Sequence, residues 1–197
     1  SRSSAASDVY KRQVLNLASN IISPSLDSQS IQTRYFYKHP ETSKDFNETW
    51  SYSLFFSNGT KAYINFASLP IPSQGRKIGC DLSFWNPKWK NPSVGRQYPP
   101  ERFIEQKEKN RITIKEEYFM ENLPGKGHRV FFSADKGGRF FVDITFTSAI
   151  PGIVPGKGIW KIGSAQFAQF IHIPYGKVSG RIGFNEDTIA VSGYGYM

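Results

Sequence analysis

The feature that most constrains this chain is an alternation of apolar and polar side chains over residues 140–147. Every second side chain is large and apolar: Phe140, Val142, Ile144 and Phe146. Since successive side chains of a β-strand point to opposite faces of a sheet, this spacing predicts a half-buried strand. The Pro151-Gly152 step that follows favours a turn, because proline lacks an N–H donor and glycine tolerates turn geometries.

The same alternation recurs near residue 50 and predicts a β-hairpin. One parity carries Trp50, Tyr52, Leu54 and Phe56. Asn58-Gly59 follows, a dipeptide typical of tight hairpin turns, and it leads into a strand that contains Ile64 and Phe66.

Strands of this kind are predicted along most of the chain. Besides residues 46–57 and 140–147, they cover residues 31–38, 61–69, 76–85, 111–120, 129–134, 167–173, 178–184 and 188–196. Residues 86–100 are predicted to form a long proline-rich loop, and residues 102–109 a short helix or an exposed strand. The chain is therefore predicted to be all-β, with about nine or ten antiparallel strands that must close or stack to cover their edges.

The content of aromatic residues allows two interpretations of the interior. Phe, Tyr and Trp make up 15% of the chain, with sixteen Phe and ten Tyr. This is more ring surface than a minimal core needs, which favours a hydrophobic cavity. Large sheets favour aromatic residues in any case, so a solid core is an equal alternative.

The formal net charge of +9 comes from basic residues that are scattered along the chain. A scattered excess is typical of a solvated surface, although it also favours attraction to anionic lipid. A nucleic-acid partner is not predicted, because the sequence contains no motif of a nucleic-acid-binding module.

Cys80 is the single cysteine, so no disulfide can form within the chain. It shares parity with Ile78, Leu82 and Phe84, which predicts a buried strand cysteine and fits a reducing compartment. The sequence contains no run of about eighteen apolar residues that could cross a membrane as a helix.

The first residues are treated separately from the predicted barrel. Residues 1–13 resemble the translated sequence of a sequencing adapter, and we expect them to be an artefact outside the fold. Residues 14–45 form a lead-in, in which residues 14–22 have the spacing of a short amphipathic helix that could dock on the barrel or touch a membrane. The barrel domain is predicted to cover residues 46–197.

Residues that could carry catalysis are few. The histidines His39, His128 and His172 are not spaced as metal ligands and Cys80 stands alone, so no metal site and no cofactor are predicted. His172 lies between Ile171 and Ile173, which predicts that it faces solvent or a neighbouring strand and serves structure rather than catalysis. Asp143 is predicted to be solvated on the polar face of its strand, although inside a barrel it could orient a ligand hydroxyl.

Three segments resemble the survival-factor family of fungal proteins and, more distantly, the hydroxyneurosporene-synthase-like proteins of bacteria. They are VDITFTSAIPGIVPGKG from Val142, FIHIPYGKVSGRI from Phe170 and VSGYGYM from Val191. The matching elements are a strand with a Pro-Gly turn, a Pro-x-x-Lys-Val-x-Gly segment and a closing Gly-x-Gly segment. The resemblance covers residues 46–197.

The resemblance implies a specific fold and a role in lipid handling. It implies an antiparallel, lipocalin-like (calycin-type) β-barrel of about eight to ten strands, one half of a two-barrel protein whose second barrel is expected after residue 197. Members of the fungal family are similar to sphingolipid carriers, linked to ceramide transport between the endoplasmic reticulum and Golgi and to survival under oxidative stress. The implied location is cytoplasmic, with peripheral contact to those membranes. No catalytic residue is carried over, because the junction between the barrels lies beyond this sequence.

Three functions follow as hypotheses. The first is non-enzymatic binding and transfer of a hydrophobic ligand such as a ceramide-like lipid, in contact with Trp50, Tyr52, Leu54, Phe56, Ile64, Phe66, Phe140, Val142, Ile144, Phe146, His172 and Tyr194. The second is a hydratase-like enzyme acting on an isoprenoid or other apolar substrate, with acid or base groups among Asp143, His172 and Tyr194. The third is a structural or interaction module with a solid barrel and a basic surface.

Overall fold

The computed structural model describes residues 29–41, 43–124, 127–148, 150–156, 158–163 and 165–197. The predicted helix at residues 14–22 and the segment 1–13 lie outside the described residues. The described chain forms two compact units. The larger comprises Gln32–Gly152 and His172–Met197, and the smaller comprises Ile153–Ile171 with residues 29–31.

Strands make up most of both units. In chain order they are β1 (Gln29–Ser30), β2 (Glu48–Phe56), β3 (Lys61–Ile71), β4 (Gly75–Trp85), β5 (Ser93–Tyr98), β6 (Phe103–Gln106), β7 (Arg111–Ile114), β8 (Tyr118–Leu123), β9 (Gly127–Ala134), β10 (Phe140–Ser148), β11 (Ile153–Val154), β12 (Ile159–Ile162), β13 (Ala165–Ala168), β14 (Gly176–Phe184) and β15 (Asp187–Tyr196). The helices of the described residues are short 3-10 turns at Thr33–Phe36, Pro87–Trp89, Pro100–Arg102 and Lys107–Lys109. Among the described residues, no helix has the length and hydrophobicity needed to span a bilayer.

The larger unit is built on one antiparallel sheet of eleven strands. Its order is β5-β4-β3-β2-β15-β14-β10-β9-β8-β7-β6. The chain first forms the meander β2 to β5 and then the meander β6 to β10. The last hairpin, β14 and β15, lies between the two meanders and joins them, since β15 pairs with β2 and β14 pairs with β10.

The sheet curls until the inner faces of its two halves meet. Phe66 on β3 lies 6.3 Å from Phe132 on β9, and Trp50 on β2 lies 5.3 Å from Phe103 on β6, measured between ring centroids. The edge strands β5 and β6 are consecutive in the chain and are joined by residues 99–102. The prediction of an all-β, antiparallel, lipocalin-like barrel is confirmed, and its sheet has one strand more than the eight to ten expected.

The predicted hairpin at Asn58-Gly59 is confirmed. Gly59 has φ +85°, a conformation that glycine adopts without strain, and the Asn58 side-chain oxygen accepts a hydrogen bond from the Thr60 N–H at 3.0 Å. The turn fixes the register that sets Trp50 opposite Phe66 and Tyr52 opposite Ile64. The apolar side chains of both strands therefore lie on the same face.

Gly180 gives a physical reason for the glycine of the Pro-x-x-Lys-Val-x-Gly segment. It has φ +152° and lies on β14 against β10, where an added Cβ would be 2.0 Å from the carbonyl oxygen of Asp143. Because that neighbour is backbone, it cannot move aside as a flexible side chain could. A glycine is needed for the two strands to approach this closely.

Two predicted strands are wrong in their local detail. Residues 31–38 contain the 3-10 helix Thr33–Phe36 instead of a strand. Residues 111–120 form two strands, β7 and β8, because the charged run from Lys115 to Glu117 makes a hairpin loop in which Lys115 adopts φ +52°. The sequence contained a signal for this loop, because the charged Glu116 stands at a position where the alternation of a continuous strand would require an apolar residue.

The predicted loop 86–100 contains a strand, β5, which pairs Val94 with Leu82 on β4. The prolines that suggested a loop flank this edge strand rather than interrupt it. Residues 102–109 form β6 and a 3-10 turn, which is one of the two alternatives predicted. The predicted strand 167–173 shrinks to the end of β13 and a single bridge between Ile153 and Ile171.

The smaller unit contains two short sheets. β1 pairs with β11, and β12 pairs with β13 in a hairpin. Across this hairpin the rings of Trp160 and Phe167 lie 5.7 Å apart. Phe167 is more than half exposed.

Candidate functional site

The ten apolar residues predicted to line a cavity form the barrel core. All of them are buried, with at most 5% of the residue surface exposed: Trp50, Tyr52, Leu54, Phe56, Ile64, Phe66, Phe140, Val142, Ile144 and Phe146. Their rings meet partners from the opposite wall. Phe66 and Phe132 have ring centroids 6.3 Å apart, and Phe140 lies 6.3 Å from Phe84. These are contact distances for aromatic rings, so side chains fill the space between the walls.

One end of this apolar core holds a cluster of polar rings, which we call the histidine cluster: Tyr52, His128 and His172. The Tyr52 hydroxyl lies 3.4 Å from His128 Nδ1, and the two imidazole centroids are 5.5 Å apart. His172 Nε2 lies 3.2 Å from the backbone oxygen of Tyr35, so this nitrogen is the donor. Polar groups inside an apolar core are costly unless they are hydrogen-bonded, which makes the cluster a candidate for function.

Burial keeps all three members of the histidine cluster uncharged at neutral pH. Loss of solvation lowers the pKa of His172 to about 4, although the hydrogen bond to the Tyr35 carbonyl acts in the opposite direction. Burial, and then the neighbouring His172, hold the pKa of His128 well below its ordinary value of 6.5. Burial also raises the pKa of the Tyr52 phenol far above 10. The cluster therefore offers neutral donors and acceptors.

Residues 32–37, which we call the Phe36 segment, cover the histidine cluster. The Phe36 ring is fully buried and packs edge-on against His128 at 5.2 Å and His172 at 5.9 Å. The Trp50 Nε1–H donates to the Phe36 carbonyl at 2.9 Å. A side chain from outside the sheet thus fills this end of the barrel.

A surface cleft of about 670 Å³ follows directly after the Phe36 segment. It is lined by Lys38, His39, Pro40, Glu41, Pro100, Phe103 and Glu105. His39 Nδ1 lies 2.5 Å from Glu48 Oε1, and the His39 N–H donates to Glu48 Oε2 at 3.1 Å. Phe103 in the cleft wall contacts Trp50 of the core, so the cleft lies close to the covered end of the barrel.

The structure brings His172 together with Tyr52 and the core but does not bring Asp143 or Tyr194 to them. Asp143 lies on the outer face of β10, where it accepts two hydrogen bonds from Arg129, at 2.9 and 3.0 Å. Tyr194 lies on the outer face of β15 with 46% of its surface exposed. The three acid or base candidates therefore do not form one site.

His172 was predicted to face solvent or a neighbouring strand, and the structure shows the second alternative. It is 9% exposed and contacts His128 on β9 as well as Phe36. The prediction assumed a regular strand, whereas this segment leaves strand geometry before Pro174, so the alternation does not apply. His128 was not singled out, although it shares parity with Val130 and Phe132, and this signal predicts its burial.

Replacing Asp143 with asparagine should change the free energy of unfolding by less than about 1 kcal/mol, because the Arg129 pair is partly exposed and such pairs contribute little. Urea denaturation of the variant and the wild type measures the difference. A loss of several kcal/mol would contradict the solvated position of Asp143.

Among the described residues, no group of three or more His, Cys, Asp or Glu side chains is arranged to hold a metal ion. Cys80 is fully buried, as its parity predicted, and burial raises the pKa of its thiol. The reactive thiolate form is therefore disfavoured.

Comparisons with known proteins support the fold and leave the function open. No protein-family model matches the chain, and no curated protein matches its sequence. A crystal structure of a Nitrosomonas europaea protein with the provisional name AttH is similar, with a TM-score of 0.56 and 17% identity over 81% of this chain. The chain spans about half of that protein, 54% of its length. At this identity the similarity concerns the fold alone, and membership of the survival-factor family remains a prediction.

Proposed function

We propose that this chain binds a hydrophobic ligand with an uncharged polar head, and that the ligand is a ceramide-like lipid. The observation that carries the proposal is the uncharged histidine cluster at the end of an apolar barrel, beneath a segment from outside the sheet. Ligand pockets commonly combine apolar walls with a few converging polar groups. This end of the barrel has both components.

The apolar walls supply most of the binding free energy. Each buried methylene contributes about 0.8 kcal/mol, so a chain of several methylenes needs few specific contacts. Trp50, Tyr52 and Phe146 lie at this end of the core, where the centroids of Tyr52 and Phe146 are 5.5 Å apart. A hydrocarbon chain that replaced Phe36 would meet the same rings.

The histidine cluster selects the head group. A carboxylate or phosphate placed there would lose its hydration without gaining a cation, since burial disfavours charge on the imidazoles. Hydroxyl and amide groups carry no such penalty and can exchange hydrogen bonds with Tyr52 and His128. The cluster therefore favours a ceramide-like head over a fatty acid or a phospholipid.

Access requires the Phe36 segment to move, because the core beneath it is packed. The segment is held by a limited set of polar contacts, among them those of Trp50 and His172 with its backbone. The cleft next to the segment gives it space to move along the surface. In this interpretation the Phe36 ring occupies the space that the bound ligand would take.

The pKa of about 4 for His172 favours binding over catalysis. General bases work best with a pKa near the operating pH, and a base this weak removes protons poorly at neutral pH. We therefore propose a carrier rather than an enzyme acting on an apolar substrate.

The wider role is proposed from the sequence resemblance. It comprises transfer of ceramide between the endoplasmic reticulum and Golgi, a cytoplasmic location, a link to survival under oxidative stress, and a second barrel as partner. The histidine cluster bears on the ligand class alone. An assay of the transfer of labelled ceramide between vesicles would test whether ligand binding leads to the proposed transport.

Fluorescence titration of the full chain with an NBD-labelled ceramide tests the proposal. We expect binding of one probe per chain, and weaker or no binding of an NBD-labelled fatty acid at pH 7. Tyr52→Phe keeps the ring but removes the hydroxyl, and a lost hydrogen bond of about 1 kcal/mol weakens ceramide binding roughly fivefold. Asp143→Asn is the matched control on the outer face and should bind normally. Equal affinity for both probes, or no binding, would contradict the proposal.

A further inference from the structure

The outer face of the sheet carries a continuous line of aromatic and lysine side chains, which we call the aromatic row. Strand register places Lys61 opposite both Trp85 and Phe55, and Tyr194 opposite both Phe55 and Lys177. The row therefore crosses five adjacent strands, from β4 through β3, β2 and β15 to β14. It lies on the face opposite to the core.

The rings of this row stand against one another. Centroids lie 5.2 Å apart between Phe55 and Tyr194 and 5.8 Å apart between Tyr194 and the adjacent Tyr175, with interplanar angles of 13° and 24°. Lys61 Nζ lies 6.0 Å from the centroid of Phe55. The rings of Phe55, Tyr194 and Tyr175 therefore form one continuous offset stack on the outer face.

The large aromatic side chains of the row are strongly exposed to solvent. Trp85 is 49% exposed, and Tyr175 and Tyr194 are exposed to nearly the same degree. A cleft of about 520 Å³ adjoins the Trp85 end and is lined by residues that include Phe55, Lys61, Tyr63 and Trp85. Large exposed apolar patches of this kind mark interaction surfaces.

The charge around the row is positive. Lys61, Lys177 and the nearby Lys90 form no ion pair within the part of the chain that the structure describes. None of the described residues that line the cleft beside Trp85 carries a carboxylate. An anionic partner would therefore meet Lys61 there without a competing negative charge.

We propose that the aromatic row docks this protein on the surface of an anionic lipid bilayer. Tyrosine and tryptophan favour the headgroup region, where the ring is in an apolar layer and the polar atom is in water. Lysines next to them are attracted to anionic headgroups while their apolar stems lie along the rings.

Docking by the aromatic row is independent of the proposed ligand site. The row lies on the outer face of β2 and β15, whereas Tyr52 and the histidine cluster lie inside. Loss of ceramide binding with normal vesicle binding, or the reverse, would separate the two proposals.

Co-sedimentation of the full chain with vesicles tests the docking. The vesicles contain phosphatidylcholine, with or without about 30% phosphatidylserine. We expect binding to the anionic vesicles that falls as salt is raised. Lys61→Ala with Lys177→Ala should weaken it about 25-fold, since each lysine near a charged membrane contributes about 1 kcal/mol, roughly fivefold. Lys109→Ala with Lys136→Ala is the matched control, because it removes the same charge from exposed positions outside the row.

Aromatic variants give a second measurement. Tyr194→Ser should weaken vesicle binding, while Ile104→Ser removes a similarly exposed apolar side chain from β6, outside the row, and should leave binding unchanged. Brominated lipids should quench Trp85, the most exposed tryptophan of the larger unit, and Trp85→Phe should remove that signal. The proposal is overturned if each control variant weakens vesicle binding as much as the variant of the aromatic row to which it is matched. It is also overturned if the chain binds an oligonucleotide or oligosaccharide through the row but no vesicle.

Discussion

Replacing Phe36 with alanine is expected to destabilise the protein by about 3–5 kcal/mol, the range found for large aromatic residues removed from packed cores. Phe36 is fully buried and contacts both imidazoles of the histidine cluster. Alanine leaves a cavity above the cluster and removes the ring that fills this end of the barrel. Urea denaturation followed by circular dichroism measures the loss.

The same variant tests whether Phe36 only fills the core or occupies a site that can accept a ligand. If the space of Phe36 can accept an apolar group, indole or a short-chain ceramide should restore part of the lost stability. The stabilisation should rise with ligand concentration, because binding to the folded state shifts the unfolding equilibrium. Phe84→Ala is the matched control: Phe84 is equally buried but packs on Trp89, away from the Phe36 segment. Rescue of both variants to the same extent, or of neither, would contradict a site at Phe36.

The alternation in the sequence predicted which side chains are buried because the strands pair in a register with period two. Trp50 faces Phe66 and Tyr52 faces Ile64 across β2 and β3, so each apolar parity meets the apolar parity of its neighbour. The Asn58-Gly59 turn sets this register locally. Burial of these positions could therefore be predicted from short stretches of the sequence.

The same pattern could not decide between a cavity and a solid core. That outcome depends on how far the sheet curls, which brings Phe66 to Phe132 and Phe84 to Phe140 across the barrel. These pairs are distant in sequence, and their spacing follows from the twist of the whole sheet. Local alternation carries no information about it.

The histidine cluster was missed because two of its contacts arise outside regular strands. His172 belongs to a segment that leaves strand geometry before Pro174, and Phe36 belongs to a 3-10 turn that was predicted as a strand. Both residues reach the core only because their segments fold over the barrel end. His128, in contrast, lies on a regular strand, and its apolar parity was readable.

Acid should destabilise the protein through the two buried histidines, His128 and His172. A histidine whose folded-state pKa lies below its unfolded value of about 6.5 stabilises the fold fully above that pH. As the pH falls below 6.5, the unfolded chain takes up protons that the folded chain does not, and stability declines. For His172 the decline ends near its folded pKa of about 4.

The expected size follows from proton linkage. Each histidine that stays neutral in the fold removes about 1.4 kcal/mol per pH unit in this window, or about 2 kcal/mol between pH 7 and pH 5. His128 is lowered in the same direction, so the two together should remove about 4 kcal/mol over that interval. Urea denaturation at several pH values measures the slope.

Single replacements assign this slope to the histidine cluster. His172→Gln and His128→Gln should each remove about half of the slope between pH 7 and pH 5, whatever their stability at pH 7, because each removes one titrating ring. Asp143→Asn is the matched control, because it changes a side chain on the outer face and removes no titrating ring from the histidine cluster. If both histidine variants keep the wild-type slope, the imidazoles are accessible to protons in the folded protein. In that case the histidine cluster would accept charge, and its selectivity for an uncharged head group would be lost with it.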